Sequence, residues 1–250
     1  MKHHFLWELT DYSNAAMPPR YLSDITAWHG HIPFAFFVTQ VVRPSLFVEL
    51  GVHAGDSYMA FCQGLDQPDG MLLKKAFGID TFKGDEHSGP YEENMYQMVS
   101  DVHDPLYGKF STLVPRRFEE AVSDFEVGSI DLLHLDGLHT YEAVSRDLEM
   151  WLPKMSSRGV LLMHDTSVIS DPTFGVWQKW GELRREYPHF EFYHSNGLGV
   201  LLVGNDAPEI LYKMGEQDKT WQGEWIREYF KLFSDRVYAM KKAEKKDESK

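Results

Sequence analysis

The sequence predicts an α/β protein with a mostly parallel sheet, helices on both faces and a C-terminal antiparallel hairpin. Three observations predict it. Four short apolar runs, within residues 46–49, 76–80, 130–136 and 159–165, each end in an acid: Glu49, Asp80, Asp136 and Asp165. Strands of that length alternating with helical stretches pack in parallel and bring their ends to one rim, where ligands of open α/β sheets bind. The first run leads into a turn with two glycines, Gly51 and Gly55, and then a helix; glycine has no side chain to keep a ligand off the backbone. Near the end, residues 190–194 and 199–203 are separated by only four residues, a gap too short for a crossover and suited to a hairpin.

Taken in order, residues 1–45 read as a helical cap, 46–205 as the core and 206–250 as a helical extension with a charged tail. Pro18 and Pro19 break any long helix in the cap, while Trp7, Tyr12 and Tyr21 mark a packing segment. Residues 29–33 read as a turn and 34–42 as an apolar helix. His29 and His31 are either substrate contacts or packing histidines. Residues 57–65 form the first crossover helix, with Asp56 and Ser57 placing oxygen atoms where free N–H groups want partners; Cys62 reads as a small core residue. A turn over 67–70 precedes the second strand. The connection 83–108 carries Asp85, Glu86, His87, Tyr91, Glu92 and Glu93, with a helix over 92–102; connections this long are often lids or binding loops. A strand over 110–114 and a helix over 118–125 follow. The helix over 138–152 aligns Val144, Leu148 and Trp151 on one face, and Pro153 and Gly159 bound the turn into the strand ending His164-Asp165. Residues 174–187 and the chain from 206 onward read as helical.

Hydrophobic residues make up 43% of the 250, enough for a packed core. The formal net charge is −13, which argues against a nucleic-acid partner or an anionic membrane surface. No apolar run is long enough to span a bilayer, and the start lacks a signal-peptide core. One cysteine excludes an internal disulfide framework. The expected compartment is cytoplasmic.

The ordered set Glu49-x-Gly51-x-x-x-Gly55, Asp80, Leu135-Asp-Gly-x-His139-x-Tyr141 and Gly159-Val-Leu-Leu-x-His-Asp165 resembles class I S-adenosylmethionine (SAM) methyltransferases. The nearest group is the small-molecule and sugar O-methyltransferases around the macrocin and cephamycin-pathway enzymes. The resemblance covers residues 46–204. It implies a Rossmann-like fold with a seven-stranded sheet, and a cofactor set of Glu49, Gly51, His53, Gly55, Ser57, Asp80, Phe82 and Asp136. His53 departs from the smaller residue many relatives carry.

Within that resemblance, Asp80 is placed to accept both ribose hydroxyls. Glu49 either orders the glycine loop or meets the cofactor ammonium through water. Phe82 either stacks on adenine or packs at the edge of the core. Methyl transfer to an alcohol needs a base or a metal to draw off the proton. Asp136 and His139 are the catalytic candidates, with His139 as base; its other reading is helix capping and packing on Tyr141. Relatives with two acids ending the fifth strand hold a divalent metal there. This chain has His-Asp, so Asp136, His164 and Asp165 form a candidate Mg2+ site.

The acceptor expected is a small-molecule hydroxyl, with a sugar or glycan first, because the acidic, aromatic segment 85–91 suits hydroxyl-rich ligands. The C-terminal helix leaves a homo-oligomer or larger assembly open. Two other readings remain: a non-catalytic SAM-fold assembly module, and an NAD-dependent oxidoreductase, which would want Gly-x-Gly-x-x-Gly instead.

Overall fold

The computed structural model describes residues 4–67 and 74–248. Most of the turn expected over 67–70, the side chain of Trp7 and the last two residues of the tail lie outside the described residues. The strands are β1 (Leu46–Leu50), β2 (Lys75–Ile79), β3 (Gly84–Asp85), β4 (Gly89–Pro90), β5 (Ser111–Val114), β6 (Ile130–Leu135), β7 (Met155–His164), β8 (His189–Phe192) and β9 (Leu198–Leu202). Seven of them form one sheet in the order β5-β2-β1-β6-β7-β9-β8. The first five run parallel, and β9 and β8 close the sheet antiparallel. The predicted fold class and hairpin are therefore present. β3 and β4 make a separate two-stranded ribbon.

The helices are α1 (His4–Thr10), α2 (Ile32–Val42), α3 (Asp56–Leu65), α4 (Met95–Tyr107), α5 (Phe118–Ala121), α6 (Tyr141–Trp151), α7 (Val176–Leu183), α8 (Glu209–Glu216) and α9 (Trp221–Glu248). The central strands are buried on both faces, which is why their sequences read as nearly continuous apolar runs. Alternate residues serve two cores. Phe47, Leu132 and Leu162 pack with Phe34, Phe61 and Phe230 of α2, α3 and α9. Val48, Leu133 and Leu161 pack with Leu148, Trp151 and Trp180 of α6 and α7.

Several boundaries differ from the sequence reading. A 3-10 turn over His29–His31 runs directly into α2, because Pro33 fits the first helical turn, where its missing N–H costs nothing. The helix expected over 92–102 begins at Met95 and continues to Tyr107 with Pro105 inside it; buried Val99, His103 and Tyr107 hold that face to the core. The helix expected from 138 begins at Tyr141, because Thr140 caps it, its hydroxyl accepting from the Ala143 N–H at 3.2 Å. Residues 137–139 therefore remain a loop at the β6 end. Among the described residues no helix is long and apolar enough to cross a membrane.

Gly51 (φ +97°) and Gly55 (φ +90°) both adopt the left-handed region, but for different reasons. A Cβ on Gly51 would run into the backbone carbonyl of Asp136, so this glycine lets the turn after β1 lie against the end of β6. The close approach is to the protein's own backbone, not first to a ligand as the turn alone implied. A Cβ on Gly55 would meet only side chains, Val99 at 3.3 Å and Met59 at 3.5 Å. Gly51→Ala is therefore expected to cost clearly more stability than Gly55→Ala, whose cost is the left-handed strain of about 1–2 kcal/mol. Chemical denaturation of both variants checks this, and equal losses would contradict the packing described.

Candidate active site

The site lies at the carboxyl ends of β1, β2, β6 and β7. Asp80, just past β2, fixes the glycine turn: its Oδ2 accepts from the Val52 and His53 N–H groups at 2.8 and 2.9 Å. Its Oδ1 accepts from the Phe82 N–H at 2.7 Å. A carboxylate offers about four lone-pair positions, so three backbone bonds leave room for one further partner and not for two ribose hydroxyls. The turn it holds places His53 (φ +48°) against Tyr91, with ring centroids 4.3 Å apart. Phe82 is buried and meets Tyr96 edge-on at 5.2 Å.

Glu49 is fully buried. Its register partner across β1–β6 is His134. Oε2 accepts from His134 Nδ1 at 2.9 Å and Oε1 from the Ser57 hydroxyl at 2.8 Å. Trp28 Nε1 donates to His134 Nε2 at 3.3 Å. An indole can only donate, so His134 Nε2 carries the lone pair and Nδ1 the proton. Burial raises the Glu49 pKa, with His134 opposing that rise. Of the two roles open to Glu49, the geometry is that of ordering the loop, and Ser57 is engaged in the same network.

Asp136, His139 and Asp165 converge at the β6 and β7 ends, and one ligand atom from each lies within 4.8 Å of the others. His139 Nε2 is 2.9 Å from Asp165 Oδ2 and 3.6 Å from Asp136 Oδ1. Burial would lower its pKa, but the two carboxylates win and push it up to about 9. His139 caps no helix and packs on Phe174, with centroids 4.6 Å apart and 5° between planes, rather than on Tyr141. His164 sits behind the group. Its Nδ1 lies 3.2 Å from Asp136 Oδ1 and 3.3 Å from Asp165 Oδ2, and its Nε2 donates to the Ser195 carbonyl at 3.0 Å. Every neighbour of those nitrogens is an acceptor. Burial opposes the charge, but the acids hold the His164 pKa well above the ordinary imidazole value. Burial also raises the Asp136 pKa, and His164 and His139 more than reverse it, well below the usual carboxylate range. The cluster that converges is thus Asp136, His139 and Asp165, with His139 taking the place expected of His164.

Two clefts flank the site. One, of about 230 Å³, is lined by the turn 51–57, Trp28, Asp85, Tyr91, Asp136, His139, Asp165 and Asn196. The other, of about 650 Å³, is lined by Asp80, Thr81, Arg116, Arg117, Phe118, Gly137 and Leu138. They share Gly51, Asp85, Tyr91 and Asp136, so the β3–β4 ribbon stands between them. Asp85 and Tyr91 belong to the segment 85–91 that the sequence offered for the acceptor; Trp28 and Asn196 were not singled out as site residues from the sequence. His29 and His31 are fully buried. His29 donates to Asp56 at 2.8 Å and His31 to the Ser195 carbonyl at 3.1 Å, so they are packing histidines.

Residues 48–166 match the methyltransferase domain family. Over that stretch, a little under half of the chain, the sequence is similar to methyltransferase domains, and the fold is the one shared by solved methyltransferases. An uncharacterized protein of Sinorhizobium fredii is 41% identical over 215 residues, which span 86% of this chain and 23% of that protein. Solved structures that share the fold include two methyltransferases. One is the SAH-bound methyltransferase PaMTH1 of Podospora anserina, at TM-score 0.52 and 14% identity over 79% of this chain and 86% of that one. The other is the O-methyltransferase TomG of Streptomyces achromogenes, involved in tomaymycin synthesis and in complex with SAM. It has TM-score 0.53 and 12% identity over 79% of this chain and 89% of that one. In this chain the acids lie on the same rim as the glycine turn.

The raised pKa of His139 has a stability consequence. A histidine whose folded pKa exceeds its unfolded value of about 6.5 contributes stability that is fully present below about pH 6.5. That contribution is lost as pH rises through the folded value of about 9. Thermal melting between pH 6 and pH 10 is expected to fall more steeply for the wild type than for His139→Gln. Parallel curves would show that His139 is not held between the two carboxylates.

Proposed function

We propose that the chain is a SAM-dependent O-methyltransferase acting on a hydroxyl of a small molecule, most consistent with a sugar or glycan acceptor. The observation that carries this reading is that the Asp80-held turn and the Asp136–His139–Asp165 cluster line one cleft. That cleft has Asp56, Asp85, Asp136 and Asp165 among its lining residues and no Lys or Arg, which fits a ligand bearing a sulfonium and an ammonium. Among the solved neighbours, TomG is an O-methyltransferase in complex with SAM, which supports the same reading. SAM would supply the methyl group as an activated sulfonium.

Asp80 lines the larger cleft, and its remaining acceptor capacity suits one ribose hydroxyl, with Phe82 beside it as packing. Gly51, His53 and Gly55 form the turn beneath the methionine end; Glu49 and Ser57 hold it from below. Asp136 and Asp165 orient His139, which takes the proton of the acceptor hydroxyl. Asp85, Tyr91, Trp28 and Asn196 offer the mix of acceptors, donors and aromatic faces that sugar hydroxyls and ring faces need.

The donor set also fits a divalent cation, and Asp165 Oδ1 and His139 Nδ1 are buried without a hydrogen-bond partner in this structure. Such an ion, when bound, would polarise the acceptor oxygen. Two carboxylates and one imidazole suit Mn2+ at least as well as Mg2+, because imidazole is a softer ligand than oxygen.

Transfer from isotopically labelled SAM to a panel of sugars and nucleotide sugars, read by mass spectrometry, tests the function. Asp80→Asn is expected to weaken SAM binding roughly ten- to a hundredfold by calorimetry; unchanged affinity would remove Asp80 from the site. If His139 is an unaided base, the rate rises with pH toward about 9 and EDTA leaves it unchanged. If an ion is held by Asp136 and Asp165, EDTA silences the activity and Mg2+ or Mn2+ restores it. Binding of NAD in place of SAM would overturn the assignment.

A further inference from the structure

His87, on the β3–β4 ribbon, lies close to the His139 ring. A histidine that ligates a metal or moves a proton is normally oriented by a hydrogen bond to its other ring nitrogen. His139 Nε2 faces Asp165, but its Nδ1 is buried with no hydrogen-bond partner. The ring sits in a loop ahead of α6, so no helix sets its direction. Two other rings do. Phe174 lies parallel to it at 4.6 Å, and His87 lies 4.6 Å from Phe174 and 5.4 Å from His139, each at 26°.

Both of these rings are themselves held. The Gly175 N–H donates to the His139 carbonyl at 2.7 Å, which ties the backbone beside Phe174 to His139. In the ribbon, Asp85 Oδ1 accepts from the N–H groups of His87 and Ser88, both at 2.8 Å, and from the Ser88 hydroxyl at 2.9 Å. These bonds close the ribbon tip and tie down the backbone from which His87 projects. At the ribbon's far side, Tyr91 stacks on His53 of the cofactor turn.

We propose that His87 is a positioning residue for the methyl-transfer site. It acts by stacking on Phe174 and His139, and its ribbon joins the cofactor turn to the acid rim. Stacking sets the plane of the His139 imidazole where a hydrogen bond would otherwise do so. His87 does not line the acceptor cleft, so it acts on the reacting groups only through His139. The proposal rests on the reading of Asp136, His139 and Asp165 as a divalent-ion site.

The test compares His87→Ala with His87→Phe in the full chain, using Mn2+ and SAM as separate probes. Electron paramagnetic resonance of free Mn2+ is expected to show about tenfold weaker binding for His87→Ala, the lower end of the loss typical for a partner that orients a ligand. His87→Phe, which keeps a flat ring, restores most of that affinity, and both variants bind SAM as the wild type does. Unchanged Mn2+ affinity in His87→Ala overturns the proposal, as does His87→Phe behaving like His87→Ala.

Absence of Mn2+ binding by the wild type would instead defeat the ion-site reading. The positioning claim is then decided by the His139 ring protons, assigned with His139→Gln. Ring currents are expected to hold them upfield in the wild type and His87→Phe and to release them in His87→Ala. Identical shifts in all three overturn it.

Discussion

One carboxylate sets the geometry of the rim. Asp80 accepts three backbone N–H groups, two from the turn after β1 and one from its own. Those donors are in or near buried backbone, where an unpaired N–H costs about 1–3 kcal/mol. Charge-assisted bonds therefore define both turns together. With the turn after β1 fixed, Gly51 rests against the Asp136 carbonyl, and the ends of β2, β1 and β6 become one continuous surface. Everything proposed for the cofactor depends on that arrangement.

Beneath the rim, polar groups are placed so that each buried charge has a partner. Glu49 sits between His134 and Ser57; Asp136 and Asp165 sit among His139 and His164. His31 and His164 both donate to the Ser195 carbonyl. That shared acceptor ties the tip of the β8–β9 hairpin to the α2 entrance and to the acid cluster. Ser195, Asn196 and Gly197 all have positive φ, and these bonds hold the strained tip so that Asn196 borders the cleft. The side chains around the proposed site are thus oriented before any ligand arrives, as the proposed transfer requires.

The sheet was legible in the sequence because buried parallel strands leave apolar runs, and because their carboxyl ends carry the acids. The hairpin was legible from a gap too short for anything else. The partnership of Glu49 with His134 was missed, although period-2 alternation places both on the same face of adjacent strands. His139 was grouped with Asp136 and Asp165 in the sequence as the base, but nothing there put it rather than His164 in the candidate metal set. Its place in the cluster depends on Thr140 taking the helix cap, which leaves His139 in a loop free to turn inward. The contact of His87 with Phe174 joins loops 87 residues apart and follows only from the assembled fold. His29 and His31 looked the same in sequence whether they contacted a ligand or a core, and burial alone separates these readings.

The proposed site holds SAM along the Asp80 turn, with Asp136, His139 and Asp165 placed to take a divalent ion. A crystal structure of the chain grown with S-adenosylhomocysteine and Mn2+ tests it most directly. The adenosine is expected on the Asp80 side of the β3–β4 ribbon, and the sulfur beside Asp136. An anomalous manganese peak is expected among the three named side chains. S-adenosylhomocysteine bound away from the Gly51 turn, or manganese bound elsewhere with this cluster intact and metal-free, would contradict it.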